Sequence, residues 1–147
     1  MDDKGAEGRS VKYTYLKVMV GLPRSGKTTY CEQHLKPSGW VVVNPDSFRL
    51  AIHGHKFISA AEPFVWATVY AAVDGLRMAG HNVVVDGCHL TKKRREPWVQ
   101  RGAEFMPMGT TKEICIQRAG DDHEIIQVIH RMALDCDWPQ AIGESLL

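Results

Sequence analysis

Residues 21–28 read Gly21-Leu22-Pro23-Arg24-Ser25-Gly26-Lys27-Thr28, a complete G-x-x-x-x-G-K-[ST] loop with Thr29 behind it. An apolar, β-prone run (Tyr15 to Val20) precedes the loop, and a helix-compatible stretch (Thr28 to Leu35) follows it. Strand, glycine loop and helix in that order make a phosphate cradle. The glycines let the backbone wrap tightly and turn its N–H groups inward. The helix start adds partial positive charge at the same spot. In this reading Gly21, Pro23, Arg24, Ser25, Gly26, Lys27, Thr28 and Thr29 surround a nucleoside triphosphate, ATP by default. Lys27 is expected to reach the β- and γ-phosphates, and the Thr28 hydroxyl to hold Mg²⁺. Where the phosphate goes is a separate question.

Further along the chain, strands and helices alternate. Pro37-Ser38-Gly39 breaks the first helix, and Trp40 to Val43 reads as a short buried strand. Pro45 and Asp46 suit a helix start, so a short helix is predicted over 47–53, closed by Gly54. From Ala60 to Ala79 apolar side chains recur at helical spacing (Phe64, Val65, Val69, Ala72, Val73, Leu76). Phe64, Trp66 and Tyr70 on that helix are expected to be core side chains in preference to a base-stacking platform. Asn82 to Asp86 is an apolar run of the kind buried on both sheet faces. Thr91 to Arg101 predicts a basic helix capped by Thr91, with Pro97 inside it. Phe105 to Met108 is a weaker fourth strand. A helix capped by Thr110 runs to about Arg118, another spans 123–134, and the tail from Trp138 is irregular.

This order predicts an α/β fold: a P-loop NTPase three-layer sandwich, with a parallel sheet flanked by helices and a small C-terminal helical lid. Residues 13–147 are read as a single domain and residues 1–12 as a flexible N-terminal segment. A chain of 147 residues is long enough for one sizeable core. Its net charge of +1 provides no global field to drive it onto a polyanion, so such a partner must be met by a local patch. Cys31, Cys88, Cys115 and Cys136 are widely spaced with no C-x-x-C, which fits reduced thiols in the cytoplasm. No apolar run approaches 18 residues, and the first ten residues lack a signal peptide's apolar segment, so no membrane role is expected.

Ligands of parallel sheets bind at the carboxyl ends of the strands. Asp46 and Asp86 both fall there, beside the loop. Asp46 and Arg49 share a helix face at three-residue spacing. The carboxylate can take a proton from an attacking hydroxyl, and the guanidinium can grip a substrate phosphate. The plainer alternative is a capping aspartate and a solvated arginine. Asp86 can hold Mg²⁺ or orient Lys27; the alternative is a strand-end Asp-Gly turn. Gly87 stands where ATPases that activate water often carry a second acid, which favours transfer to a hydroxyl over hydrolysis. Lys92-Lys93-Arg94-Arg95 sits at a helix start, against the dipole, as a polyphosphate site or as a solvated face. Arg118 can close over the transferring phosphate or simply end a helix. His53 and His55 lack partners at metal-binding spacing.

Taken together, three ordered segments resemble the kinase domain of phage-type polynucleotide 5′-hydroxyl kinases and their small bacterial and phage relatives. They are Gly21 to Thr29, Val43-Asn44-Pro45-Asp46-Ser47-Phe48-Arg49, and Val85 to Thr91 with Arg94 and Arg95 behind. The resemblance implies an ATP- and Mg²⁺-dependent kinase. It implies Asp46 as general base, Arg49 on the acceptor phosphate, Lys27 and Thr28 on the donor, Asp86 as the supporting acid and Arg118 as a lid arginine. The acceptor it implies is a nucleic acid, DNA in preference to RNA, with a 5′-hydroxyl as default. A hydroxymethylated base in phage DNA, a small molecule or nucleotide, and a non-catalytic or ATPase module are the alternatives. The sequence departs from the pattern at Ser47, in place of a second acid, and at His89, in place of a usual Asn. A second lid arginine about four residues from Arg118 is missing, and Arg24 in the loop is an extra cation that can stand in for it.

Overall fold

The computed structural model describes residues 13–145, and the expected flexible segment 1–12 lies outside them. Four apolar runs form the strands β1 (Leu16–Val20), β2 (Val41–Val43), β3 (Val83–Val85) and β4 (Glu104–Pro107). They pair in parallel in the order β2-β3-β1-β4. The register sets Val18 opposite both Val85 and Phe105, and Val43 opposite Val85. Parallel strands need crossovers, and helices supply them. These are α1 (Lys27–Tyr30), α2 (Pro45–His53), α3 (Glu62–Met78), α4 (Lys92–Val99), α5 (Lys112–Ala119) and α6 (His123–Asp135).

Alternating strand residues point to opposite faces, and the core divides accordingly. Val18, Val83 and Val85 pack with Val65, Val69 and Val73 of α3 and with Trp98 of α4. Met19 and Val84 face the other way, onto Cys31 and Leu35 behind α1. Val20 and Leu22, past the sheet's centre, pack with Cys115, Ala119 and Ile129 under α5 and α6. The sheet is thus covered on both faces, with the α5–α6 pair at its carboxyl end, as the sequence predicts.

Local differences have local causes. The first helix does not run evenly: after α1 it widens into a π-helical turn (Cys31–Leu35) and tightens to a 3₁₀ turn (Lys36–Ser38) that Gly39 closes at φ 90°. Thr111, and not Thr110, caps α5, its hydroxyl accepting from Ile114 N at 3.3 Å. Thr110 Oγ1 instead donates to Ser25 O at 2.7 Å, tying the lid's approach to the phosphate loop. Phe64 is not core: it is 63% exposed, while Tyr70 packs partly buried against Trp98. The tail contains one 3₁₀ turn, Pro139–Ile142, whose Ala141 and Ile142 are buried. All four cysteines are free, Cys31 and Cys115 buried and Cys88 and Cys136 partly so.

Candidate active site

Because β1 and β3 are neighbours, the loop after one strand meets the aspartate after the other. Gly21 N donates to Cys88 O at 3.0 Å, and Thr28 Oγ1 donates to Asp86 Oδ2 at 2.8 Å. Asp86 is only 6% exposed. Burial raises its pKa against the opposing pull of the Thr28 hydrogen bond and the Lys27 charge, and the negative charge of Asp46 also pushes upward. The turn-former alternative for Asp86 therefore fails, since its side chain is committed inward to the loop.

The loop itself is tightly folded. A Cβ on Gly21 would sit 2.7 Å from Ser25 Oγ, and Gly26 has φ 98°, so both positions suit glycine. Lys27 is buried and its Nζ donates to Gly21 O at 3.0 Å, Leu22 O at 2.6 Å and Ser25 Oγ at 3.3 Å. Above the loop lies a cavity of about 650 Å³, lined by Arg24 to Tyr30, Gln33, His34, Met108, Thr110 and Arg118. Arg118 reaches over it from α5, with Nη1 donating to Arg24 O at 3.2 Å. Arg24 is a non-glycine residue at φ 67°, and its guanidinium pairs with Asp122 at 3.7 Å.

On the other side of Asp86, α2 begins at Pro45. Its N-cap is Asn44, whose Oδ1 accepts from Asp46 N at 2.8 Å. That removes the capping explanation for Asp46 and leaves its carboxylate 75% exposed. The Asp46 side chain accepts from Arg49 Nη1 at 2.7 Å. Arg49 is itself clamped from behind: Nε and Nη2 donate to the two carboxylate oxygens of Glu62 at 3.0 and 2.7 Å. Burial opposes the Arg49 charge, but the bonds to Glu62 and Asp46 outweigh it and raise its pKa. The Arg49 hydrogen bond holds the Glu62 carboxyl below its ordinary value. Arg49 is thus a fixed bridge between a buried acid and an exposed one, and the solvated-arginine alternative fails.

The basic run divides in function. Arg95 turns inward, donating to His89 O at 3.0 Å and pairing with Asp137, with its guanidinium over the Trp138 ring. Arg94 lies 4.9 Å over the Trp66 ring, and Arg49 lies 5.8 Å from the same ring. Trp66 packs partly buried against the core, as expected, and also carries the two guanidinium groups over its ring. Lys92 and Lys93 are exposed. His53 Nδ1 accepts from His55 N at 3.1 Å, and the two rings stack.

Two residues beside the site, one of them the His89 noted above as a departure, were given no role by the sequence. Glu62 starts α3 and has no motif; its only signal is an acid at the first turn of a helix facing Arg49. His89 is buried at φ 49°, with Nδ1 3.0 Å from Met19 O and its ring edge-on to Trp66 and Trp98. A carbonyl only accepts, so Nδ1 carries the proton and Nε2 is a buried lone pair without a protein partner.

A glycine-rich loop on a parallel sheet, with acids at the ends of the adjoining strands and an arginine from a C-terminal helical pair, defines a P-loop kinase-like domain. Residues 16–106 match the family described as an AAA domain, and the chain belongs to that family. Among solved structures, a chain of the Pnkp1/Rnl/Hen1 complex is 26% identical with TM-score 0.66, covering 74% of this chain and 40% of that one. A chain of the Pnkp1/Rnl/Hen1 RNA repair complex is 21% identical with TM-score 0.66, covering 96% and 53%. A gluconokinase from Sinorhizobium meliloti 1021 is 18% identical with TM-score 0.52, covering 90% and 89%. This chain thus spans about half or less of the repair-complex chains it matches. No curated protein matches it in sequence. Among the described residues no helix is long and apolar enough to cross a membrane.

Proposed function

We propose that this chain is an ATP-dependent kinase that moves the γ-phosphate to a hydroxyl on nucleic acid, with a strand's 5′-hydroxyl as the default acceptor. The observation that carries this is the exposed Asp46 carboxylate, freed from capping by Asn44 and fixed by the Glu62-backed Arg49. Asp86, bonded to the loop, has its pKa raised chiefly by burial, and the Asp46 charge adds to that. A base so placed serves transfer to an incoming hydroxyl, and nothing in that role needs an activated water.

Asp46 takes the proton of the acceptor hydroxyl as its oxygen bonds to the γ-phosphorus. The bond from phosphorus to the β–γ bridging oxygen breaks, and ADP departs with that electron pair. Lys27 and Arg118 face the donor phosphates, and Arg49 faces the acceptor's phosphate with whatever donor capacity Glu62 and Asp46 leave it. The oxygen-rich pair of Thr28 and Asp86 fits Mg²⁺, which takes few protein oxygens and completes its shell with phosphate and water. The ion would supply charge neutralisation at the β- and γ-phosphates.

The likeness to a chain from an RNA repair complex supports a nucleic-acid acceptor and makes RNA an equal arm with DNA. The test offers labelled ATP and Mg²⁺ with 5′-hydroxyl DNA and RNA oligonucleotides, duplex with hydroxymethylated bases, nucleosides, sugars and water. Label at strand ends is expected. Label only on internal bases, only on small molecules or only as free phosphate refutes the 5′-end reading. Asp46→Asn is expected to slow transfer by roughly 10² to 10⁴; full activity in that variant removes the base assignment.

A further inference from the structure

Arg24 holds the one position in the phosphate loop where a side chain is out of place. Its φ of 67° lies in the left-handed region, which glycine adopts freely and arginine does not. A long cationic side chain is nevertheless carried there, on the wall of the cavity that also holds Lys27, Thr28 and Arg118. Strain kept at a ligand-facing loop points to a role for the side chain.

Two contacts show how it is held. Its carbonyl oxygen accepts from Arg118 Nη1 at 3.2 Å, so the two arginines meet above the loop. Its guanidinium pairs with Asp122, the N-cap of α6, whose Oδ1 also accepts from Ile125 N at 3.2 Å. The Arg24–Asp122 separation is 3.7 Å with both side chains near half exposed. An exposed pair of that length is weak and easily exchanged for a better anion. A triphosphate is such an anion, offering several oxygens for a guanidinium fork.

We propose that Arg24 is a second donor-phosphate arginine, borne by the loop itself, which Asp122 holds in waiting and surrenders to the β- and γ-phosphates of the bound nucleotide. The site then has two arginines on the donor, one from α5 and one from the loop. This rests on the donor half of the proposed function. Asp122 doubles as the partner that keeps the cation aimed across the cavity mouth until nucleotide arrives.

The test compares equilibrium binding of ATP and AMP, without any acceptor, to the whole chain and to Arg24→Gly, Arg24→Lys and Asp122→Asn. Arg24→Gly relieves the backbone, so its Tm is expected to hold or rise. It is expected to lose about tenfold in ATP affinity, with AMP unchanged, because AMP lacks the phosphates concerned. Arg24→Lys keeps the charge and falls between. Asp122→Asn frees the cation and binds ATP about two- to threefold more tightly. ATP affinity at the wild-type level in Arg24→Gly overturns the proposal. So does equal loss in Arg24→Lys and Arg24→Gly, or an Asp122→Asn loss matching that of Arg24→Gly, which would make the pair only a brace for the lid. A wild-type chain that binds ATP with this pattern yet phosphorylates nothing would refute the kinase reading and leave Arg24 where it is placed here.

Discussion

Acid should unfold this protein through His89, and the size of the effect follows from its surroundings. The ring is buried, with Nδ1 donating to Met19 O and the rings of Trp66 and Trp98 against it. Burial pushes its pKa down to about 4 from 6.5, outweighing the backbone hydrogen bonding at Met19 and Gly87, and the Lys27 and Arg94 charges push the same way as burial. The unfolded chain therefore binds a proton between these two values that the folded chain refuses. Stability is complete above the unfolded value and drains as pH falls from 6.5 toward 4, at about 1.4 kcal/mol per pH unit. Between about pH 7 and about pH 5 the loss due to His89 comes to about 2 kcal/mol. His89→Asn removes the titrating group, tolerates the backbone at φ 49° and keeps a donor for Met19 O. Urea unfolding of both proteins at the two pH values isolates the term, because the carboxylates titrate alike in each. The wild type is expected to lose about 2 kcal/mol more than the variant. Equal losses would refute the claim that His89 is held neutral by burial.

Glu62→Gln leaves Arg49 buried with half its anchor. It should cost about 2–3 kcal/mol of stability and lower kcat at least tenfold, read by thermal melting and single-turnover transfer. Transfer at the wild-type rate would show that Asp46 needs no brace. Arg118→Ala loses the hydrogen bond to Arg24 O, its one such bond among the described residues, so the fold should stand while kcat falls on the order of 10²-fold. Full activity there would remove Arg118 from the donor site. Replacing Lys92 and Lys93 together by alanine should leave ATP affinity alone and flatten the salt dependence of oligonucleotide binding. For a single strand the slope in log–log form should drop by about 1.4, and an unchanged slope takes α4 out of the strand's path.

What could be read from the chain is what depends on near neighbours. The phosphate loop, the strand before it and the valine runs are each specified within a few residues, and the parallel sheet follows from their alternation. Asp46 and Asp86 were legible as strand-end acids for the same reason. One-residue matters failed where two candidates adjoin. Thr110 and Thr111 are equivalent caps on paper, and only the approach of Ser25 O, from 85 residues away, assigns the first to the loop and the second to α5. Phe64 adjoins Val65 in sequence yet stays exposed on α3, because period alone does not fix which edge of an apolar stripe meets the sheet.

The site's electrostatics were the least legible part, since they hinge on partners distant in sequence. Lys92 to Arg95 is a uniform run by composition, yet Asp137, 42 residues on, converts Arg95 from a surface cation into an internal tie. Arg49 looked like a free phosphate grip, and Glu62 across the α2–α3 contact changes that. With two carboxylates already on it, Arg49 presents little net charge to an acceptor. The exposed cation nearest to it is Arg94, stacked over the Trp66 ring that Arg49 also approaches. The same logic holds on the donor side, where Arg118 reaches the loop from α5 and Asp122 stands near the place of a second lid arginine. Read as a missing cation this is a deficit. Read with Arg24 in view, the aspartate is the counter-ion of a cation that the loop carries in the lid's stead.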